Sequence, residues 1–189
     1  QNGNIIIPGD GSVTIGGEKY ETVSLDSKTW LKRNLHYNDG LGGVYSANNN
    51  TSYSNKYGFL YSQNAINRIA STIEGWRLPS VEELNSLLTY TFLELGKVGA
   101  WYYNVTGETG FDAVPGGRGF GSPSPHTYYN VNEWGFIWGA SASGTSLLSS
   151  LNMSPSVSVS TNVDPSLYYS ARLINDISST WFDYNGSID

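Results

Sequence analysis

Cysteine is missing from all 189 residues. Its absence excludes a thiol nucleophile, a disulfide framework and any cysteine-ligated metal site, although it does not fix the compartment. Histidine is nearly missing too. His36 and His126 stand far apart and form no H-x-x-x-H zinc pair, so each is expected to pack or to lie at the surface. Ten Lys and Arg face 16 Asp and Glu, for a formal charge of −6, and the sequence has no cluster of basic residues. It therefore lacks the electrostatic footprint that neutralises many phosphates, which argues against nucleic acid as a partner. No apolar stretch approaches the ~20 residues of a membrane helix, so a soluble chain without a membrane span is expected.

What the sequence has instead is 22 Gly, 14 Tyr and 6 Trp among abundant Ser and Asn, with only 14% charged residues. This is the palette of a binding face: Tyr and Trp give large rigid contacts at low entropy cost, and Ser, Asn and Gly adapt. The length suits one domain with a full core. Residues 1–12, "QNGNIIIPGDGS", read as an N-terminal arm or linker. The domain is expected over 13–176. Residues 177–189 read as a C-terminal extension that packs back through Trp181 and Phe182.

"SVTIGGEKYETVSL" predicts a hairpin turning at Gly16-Gly17, and "KTWLKRNLHY" another short strand. Residues 38–55 show little periodicity and are expected to be a long loop. "KYGFLYSQNAINRIAS" begins as a strand and becomes a helix with Ala65, Ile66, Ile69 and Ala70 inward. After "GWRLP", Ser80 and Glu83 have the spacing of a capping box. Val81, Leu84, Leu87 and Leu88 then give a helix over about 80–90 one buried side. Residues 96–110 look irregular, and short strands are expected in "GFDAVPGG", "EWGFIWGAS", "SLLSSLNM", "SVSVST" and "LYYSARLI". Two adjacent helices within β-rich sequence predict an α+β fold.

Tests for catalytic chemistry are mostly negative. "GASAS" at 139–143 ends in Ser where a nucleophile elbow needs Gly. "GGRGFG" at 116–121 lacks both the spacing and the lysine of a phosphate loop. No EF-hand loop is present. A calcium site would have to be assembled from separate loops, with Asp112, Asn132 and Glu133 as candidates. Paired carboxylates for glycoside hydrolysis cannot be read from sequence spacing alone.

Six motifs occur in order: "LDSKTWLKRNLHY" (25–37), "KYGFLYS" (56–62), "GWRLPSVEEL" (75–84), "GFDAVPGGRG" (110–119), "WGFIWGAS" (134–141) and "YSARLI" (169–174). Over roughly residues 20–176 they resemble the Fibrobacter succinogenes major paralogous domain family. Members are surface or secreted proteins, mostly of Bacteroidetes-like bacteria and their phages. The resemblance thus implies an extracellular, cell-surface or virion-exposed protein. It also implies a C-type-lectin-like α+β fold, two helices packed on short twisted antiparallel sheets with long irregular loops. That architecture is similar to formylglycine-generating-enzyme-like and hypervariable adhesin domains. Trp30, Trp76, Pro79, Phe111, Pro115, Gly116, Gly117 and Trp138 would define the fold. Trp76 and Leu78 would dock beside the strand carrying Trp138, with Arg77 reaching a carboxylate or backbone carbonyls.

The departures matter. Leu84 stands where the family often has Trp, and Ala171-Arg172-Leu173-Ile174 where it often has Val-Arg-Cys-Val. Without cysteines, an oxidase of the formylglycine-generating type is excluded. The Glu-Pro-Asn and Trp-Asn-Asp signatures of calcium-dependent lectins are absent as well, so the fold would not bring lectin chemistry with it.

The leading expectation is a non-catalytic recognition module that needs no cofactor or metal and binds a glycan or protein ligand on a cell surface. Aromatic faces stack on sugar C–H surfaces, and amides bond hydroxyls. The candidate ligand-binding residues are Trp101, Tyr102, Tyr103, Tyr128, Tyr129, Asn130, Asn132, Tyr168 and Tyr169. A different reading is a structural subunit of a pilus or phage virion, assembled as a homo-oligomer through residues 1–12 by strand addition.

Overall fold

The computed structural model describes residues 11–122, 124–125, 127–150 and 153–175. All but the last two residues of the expected arm lie outside these residues, as do the C-terminal extension with Trp181 and Phe182, and His126. Strands β1 (Ser12–Ile15) and β2 (Glu18–Leu25) form the expected hairpin. Ile15 pairs with Glu18, leaving Gly16-Gly17 alone in the loop. Both glycines have positive φ, 60° and 83°, the backbone that matches the right-handed twist of the strands. The turn into β3 (Lys28–Leu31) is equally tight, with Leu25 opposite Lys28. There Asp26 and Ser27 take the positive φ.

After β4 (Val44–Tyr45) and a 3₁₀ turn (Ala47–Asn49) comes α1 (Thr51–Tyr57), inside what the sequence suggests is loop. Asn50 caps it by accepting from the Ser52 amide at 2.9 Å. The helix buries only Ser54 and Tyr57, so it has no apolar stripe to read. β5 (Leu60–Ser62) runs into α2 (Gln63–Ala70), which buries Ala65, Ile66, Ile69 and Ala70 as expected.

Next comes β6 (Trp76–Arg77), then α3 (Val81–Ser86). The capping box forms: Ser80 Oγ accepts from the Glu83 amide at 3.3 Å, and Glu83 Oε2 accepts from the Ser80 amide at 2.8 Å. Arg77 finds its expected partners, donating to Glu83 at 2.7 and 2.8 Å and to the Leu78 carbonyl at 3.0 Å. The helix tightens to a 3₁₀ turn at Leu87–Thr89. At three residues per turn, Leu87 stays under Leu84 while Leu88 swings out to 46% exposure. A second capping box, Thr91 with Glu94, starts the short α4 (Phe92–Leu95).

The rest is β: β7 (Arg118–Phe120), β8 (Thr127–Tyr129), β9 (Trp134–Trp138), β10 (Gly144–Ser150), β11 (Met153–Ser160), β12 (Leu167–Ala171) and β13 (Ile174–Asn175). "GFDAVPGG" forms no strand and contributes one bridge, Gly96 to Ala113. A five-stranded antiparallel sheet has the order β1-β2-β3-β13-β6. An eight-stranded sheet has the order β11-β10-β9-β12-β5-β4, with β7 pairing to β12 and β8 to β7. Among the described strand pairs, only β12 and β9 run parallel.

This corrects the expected α+β, C-type-lectin-like fold. The protein is mostly β, about 20% helical, and closer to a β-sandwich. The helices that cap boxes and periodicity reveal are real, but none exceeds eight residues. They decorate the sheets and do not form a layer.

The core is aromatic. Trp138 is fully buried, donates Nε1 to the Tyr61 carbonyl at 2.7 Å and packs on Tyr169, with ring centroids 4.8 Å apart. Trp76 and Leu78 join this cluster, as expected. A second cluster centres on Trp30, whose ring meets Phe111 edge-on at 5.5 Å, with Leu84, Leu87 and Phe92.

Trp76→Ala should cost about 3–5 kcal/mol as a buried aromatic truncation, seen as a lowered denaturation midpoint; an unchanged melting temperature contradicts this. Glu83 supplies a pH prediction. Its bonds from Arg77 hold its carboxyl below the ordinary range, with burial opposing. A lowered folded pKa gives stability that is complete above the unfolded value of roughly 4.3. That contribution is lost as pH falls through the lower folded value. Glu83→Gln should therefore flatten the acid limb of a melting-temperature profile, and an identical limb would reject the assignment.

Candidate functional site

Two irregular segments meet on one surface. The 3₁₀ turn and α1 supply residues 47–57, and β8 with the following turn supplies 127–133. Tyr128 donates its hydroxyl to Asn49 Oδ1 at 2.7 Å, and Tyr57 donates to Asn132 Oδ1 at 2.7 Å. Four asparagines on this surface, Asn48, Asn49, Asn130 and Asn132, have positive φ between 52° and 71°. Asparagine adopts that backbone more readily than other residues with a side chain, so the turns are built from residues that also offer amides outward.

The surface rests on Pro115-Gly116-Gly117. The Pro115 carbonyl accepts from the Asn132 amide at 2.9 Å, and the Gly117 amide donates to the Trp134 carbonyl at 2.8 Å. A Cβ at Gly117 would lie 2.6 Å from the Tyr129 carbonyl oxygen. Only glycine allows so close an approach. The Asn130 carbonyl closes the turn by accepting from the Glu133 and Trp134 amides.

The sequence candidates divide. Asn132 is exposed and Tyr128 and Asn130 are half-buried on this surface. Tyr129, 45% exposed, follows Tyr128 on β8 and turns to the strand's other face, with the Arg118 guanidinium 5.9 Å from its ring centroid. Tyr102, 66% exposed, meets Tyr103 edge-on at 5.6 Å in the loop after α4. Trp101, Tyr168 and Tyr169 are corrections, because all three are buried in the core. Trp101 donates Nε1 to the Ala113 carbonyl at 2.7 Å and packs against Phe92. Tyr168 and Tyr169 lie on β12, which is flanked by β9, β5 and β7. They alternate between two core clusters, so both sides of that strand are covered.

The sequence reading omits Tyr53, stacked on Tyr57 at 6.2 Å, and the asparagines of the 3₁₀ turn. Asn50 ahead of Thr51-Ser52 was the available N-cap signal for α1. The calcium candidates do not assemble. Asp112 pairs with Lys32 at 3.7 Å, while Asn132 and Glu133 belong to the β8–β9 turn. Among the described residues, no group of three or more His, Asp or Glu side chains forms. His36 packs on Phe59 at 4.4 Å with Nδ1 3.3 Å from Glu18.

Beneath α1 lies a buried cation. Arg172 sits where the chain crosses from β12 in one sheet to β13 in the other, and it is fully buried. Nε and Nη2 donate to Asn34 Oδ1 at 3.2 and 3.0 Å, Nη1 to the Phe111 carbonyl, and Nη2 to the Asp112 carbonyl at 3.1 Å. The guanidinium lies 4.3 Å over the Phe111 ring. Burial pulls its pKa down to about 9, with the Asp112 charge opposing, so it stays protonated at neutral pH.

A family model, that of the Fibrobacter succinogenes major domain, matches residues 23–175. The chain belongs to this family. The match begins within β2 and ends on β13, so the Fibrobacter succinogenes major domain takes in strands of both sheets, the Arg172 crossing and the Tyr/Asn surface. No curated protein and no solved structure matched the chain.

Arg172→Met would leave the Asn34, Phe111 and Asp112 oxygens without their buried donor. A loss of about 1–3 kcal/mol is expected in urea unfolding, the cost of leaving buried acceptors unpaired. Arg172→Lys, which keeps the charge but not the planar fork, should fall between parent and Met variant; a Met variant as stable as the parent would overturn the role.

Proposed function

We propose that this domain is a non-catalytic recognition module, displayed outside the cell, that binds a glycan through its Tyr/Asn surface. The observation that carries the reading is the joining of segments 47–57 and 127–133 by the Tyr128–Asn49 and Tyr57–Asn132 bonds. They brace short asparagine-bearing turns beside β8, the strand on which the Tyr129 ring is exposed. Sugar rings present C–H faces to aromatic rings and hydroxyls to amides. A surface braced before binding loses less freedom when its ligand arrives.

The experiment is a glycan array, run with and without calcium, comparing the parent with Tyr129→Ala and Asn132→Ala. The parent should bind a discrete set of glycans. Each variant should lose roughly tenfold in affinity, or ~1.4 kcal/mol, with an unchanged melting temperature for Tyr129→Ala. No binding to any glycan would reject this reading in favour of a protein ligand.

A further inference from the structure

The chain is acidic overall, yet half of its basic residues converge on one cleft. Lys19 comes from β2, Lys32 and Arg33 from the segment after β3, Lys56 from α1 and Lys97 from the segment after α4. The cleft measures about 370 Å³, within the lower part of the range for small-molecule sites, roughly 300–1,000 Å³. Only two carboxylates, Glu21 and Asp112, share its lining. With Glu18, which pairs with Arg33 from outside the lining, five cations meet three carboxylates, a local positive excess in a protein of net charge −6.

Internal pairing consumes only part of this charge. Lys32 lies between Glu21 at 3.5 Å and Asp112 at 3.7 Å, and Arg33 reaches Glu18 at 3.2 Å. Lys56 and Lys97 are exposed, and neither has a carboxylate within ion-pair distance among the described residues. The Lys56 ammonium lies 4.7 Å over the Tyr57 ring. Under the cleft, the buried Arg172 charge is held by Asn34, itself a lining residue, and meets no carboxylate at ion-pair distance among the described residues. A low-dielectric wall carrying a fixed charge focuses the potential into the concavity.

We infer that this cleft is a second binding site, for an acidic saccharide. The ammonium groups would meet a carboxylate or sulfate. The Asn55 amide and the Glu21 and Asp112 carboxylates suit the hydroxyls of a sugar ring. An acidic peptide offers the anion without those hydroxyls, so the mixed lining favours the saccharide. The cleft adjoins the Tyr/Asn surface through α1, which supplies Asn55, Lys56 and Tyr57 to its lining, but its cations are distinct from Tyr129 and Asn132, so the two readings can be tested separately.

The test is titration calorimetry of the full chain at low salt with four probes: oligogalacturonate, chondroitin sulfate, neutral dextran and poly-L-glutamate. Binding of either acidic saccharide, or both, is expected and says which anion is preferred. Affinity should fall as salt is raised. Lys56→Gln and Lys97→Gln, both exposed, should each weaken it by roughly two- to fivefold with unchanged melting temperatures. The double variant should lose about tenfold, and Tyr129→Ala nothing. Failure to bind either acidic saccharide, equal binding of dextran, tighter binding of poly-L-glutamate, or a double variant that binds like the parent would each overturn the site. A Tyr129→Ala variant that loses this binding while the lysine variants keep it would overturn the cleft and leave the Tyr/Asn surface standing.

Discussion

One buried guanidinium organises the middle of this protein. Removing Arg172 from water costs several kcal/mol before any partner is counted, and that cost is offset only if the surrounding acceptors are all in place. They come from two distant stretches, Asn34 after β3 and the 111–112 segment, which meet at the crossing between the sheets that carries Arg172. The Leu31 amide bonds the Leu173 carbonyl and the Leu35 amide bonds the Ala171 carbonyl on either side of the arginine. The crossing is thus pinned by backbone as well as side chain. Misplacing any of these stretches leaves a charge in the core without its acceptors, which is a strong selection for one arrangement of the sheets.

The same constraint shapes the surface. Asn34 can hold Arg172 with its oxygen because its nitrogen is occupied by the Tyr57 carbonyl at 2.8 Å. That bond fixes the end of α1, whose Tyr57 hydroxyl then steadies Asn132. A chain of three side chains therefore leads from the deepest charge to the outermost turn. The placement of these polar groups on loops is thus inherited from the core.

Much of this was legible in the sequence where the physics is local. Gly16-Gly17 and the Ser80–Glu83 pair announced a hairpin and a helix start because each is a self-contained arrangement of a few residues. Trp30, Trp76, Phe111 and Trp138 were assigned to the fold from the motifs in which they stand, and they are buried. What stayed hidden depends on distant partners. Asp26-Ser27 turns as tightly as two glycines without announcing it, and α1 has a polar sequence because it covers a polar junction. Trp101 looked like a displayed aromatic beside Tyr102 and Tyr103, yet one alternation of direction sends it inward. The Tyr168-Tyr169 pair stands in a stretch legible as a strand, but the sequence does not show that neighbours cover both faces of that strand. The cationic cleft could not be seen at all, since its five charges come from four segments.

Strand β11 ends the larger sheet, and from Pro155 to Ser160 its residues alternate between half-buried and exposed. Its outward positions there, Ser156, Ser158 and Ser160, are all serine, and Val157 and Val159 turn towards the core. Pro155 within it carries no N–H. A border strand missing a donor and faced with small hydroxyls is a poor template for another chain to extend. At high local concentration that border keeps neighbouring copies from fusing into a common sheet.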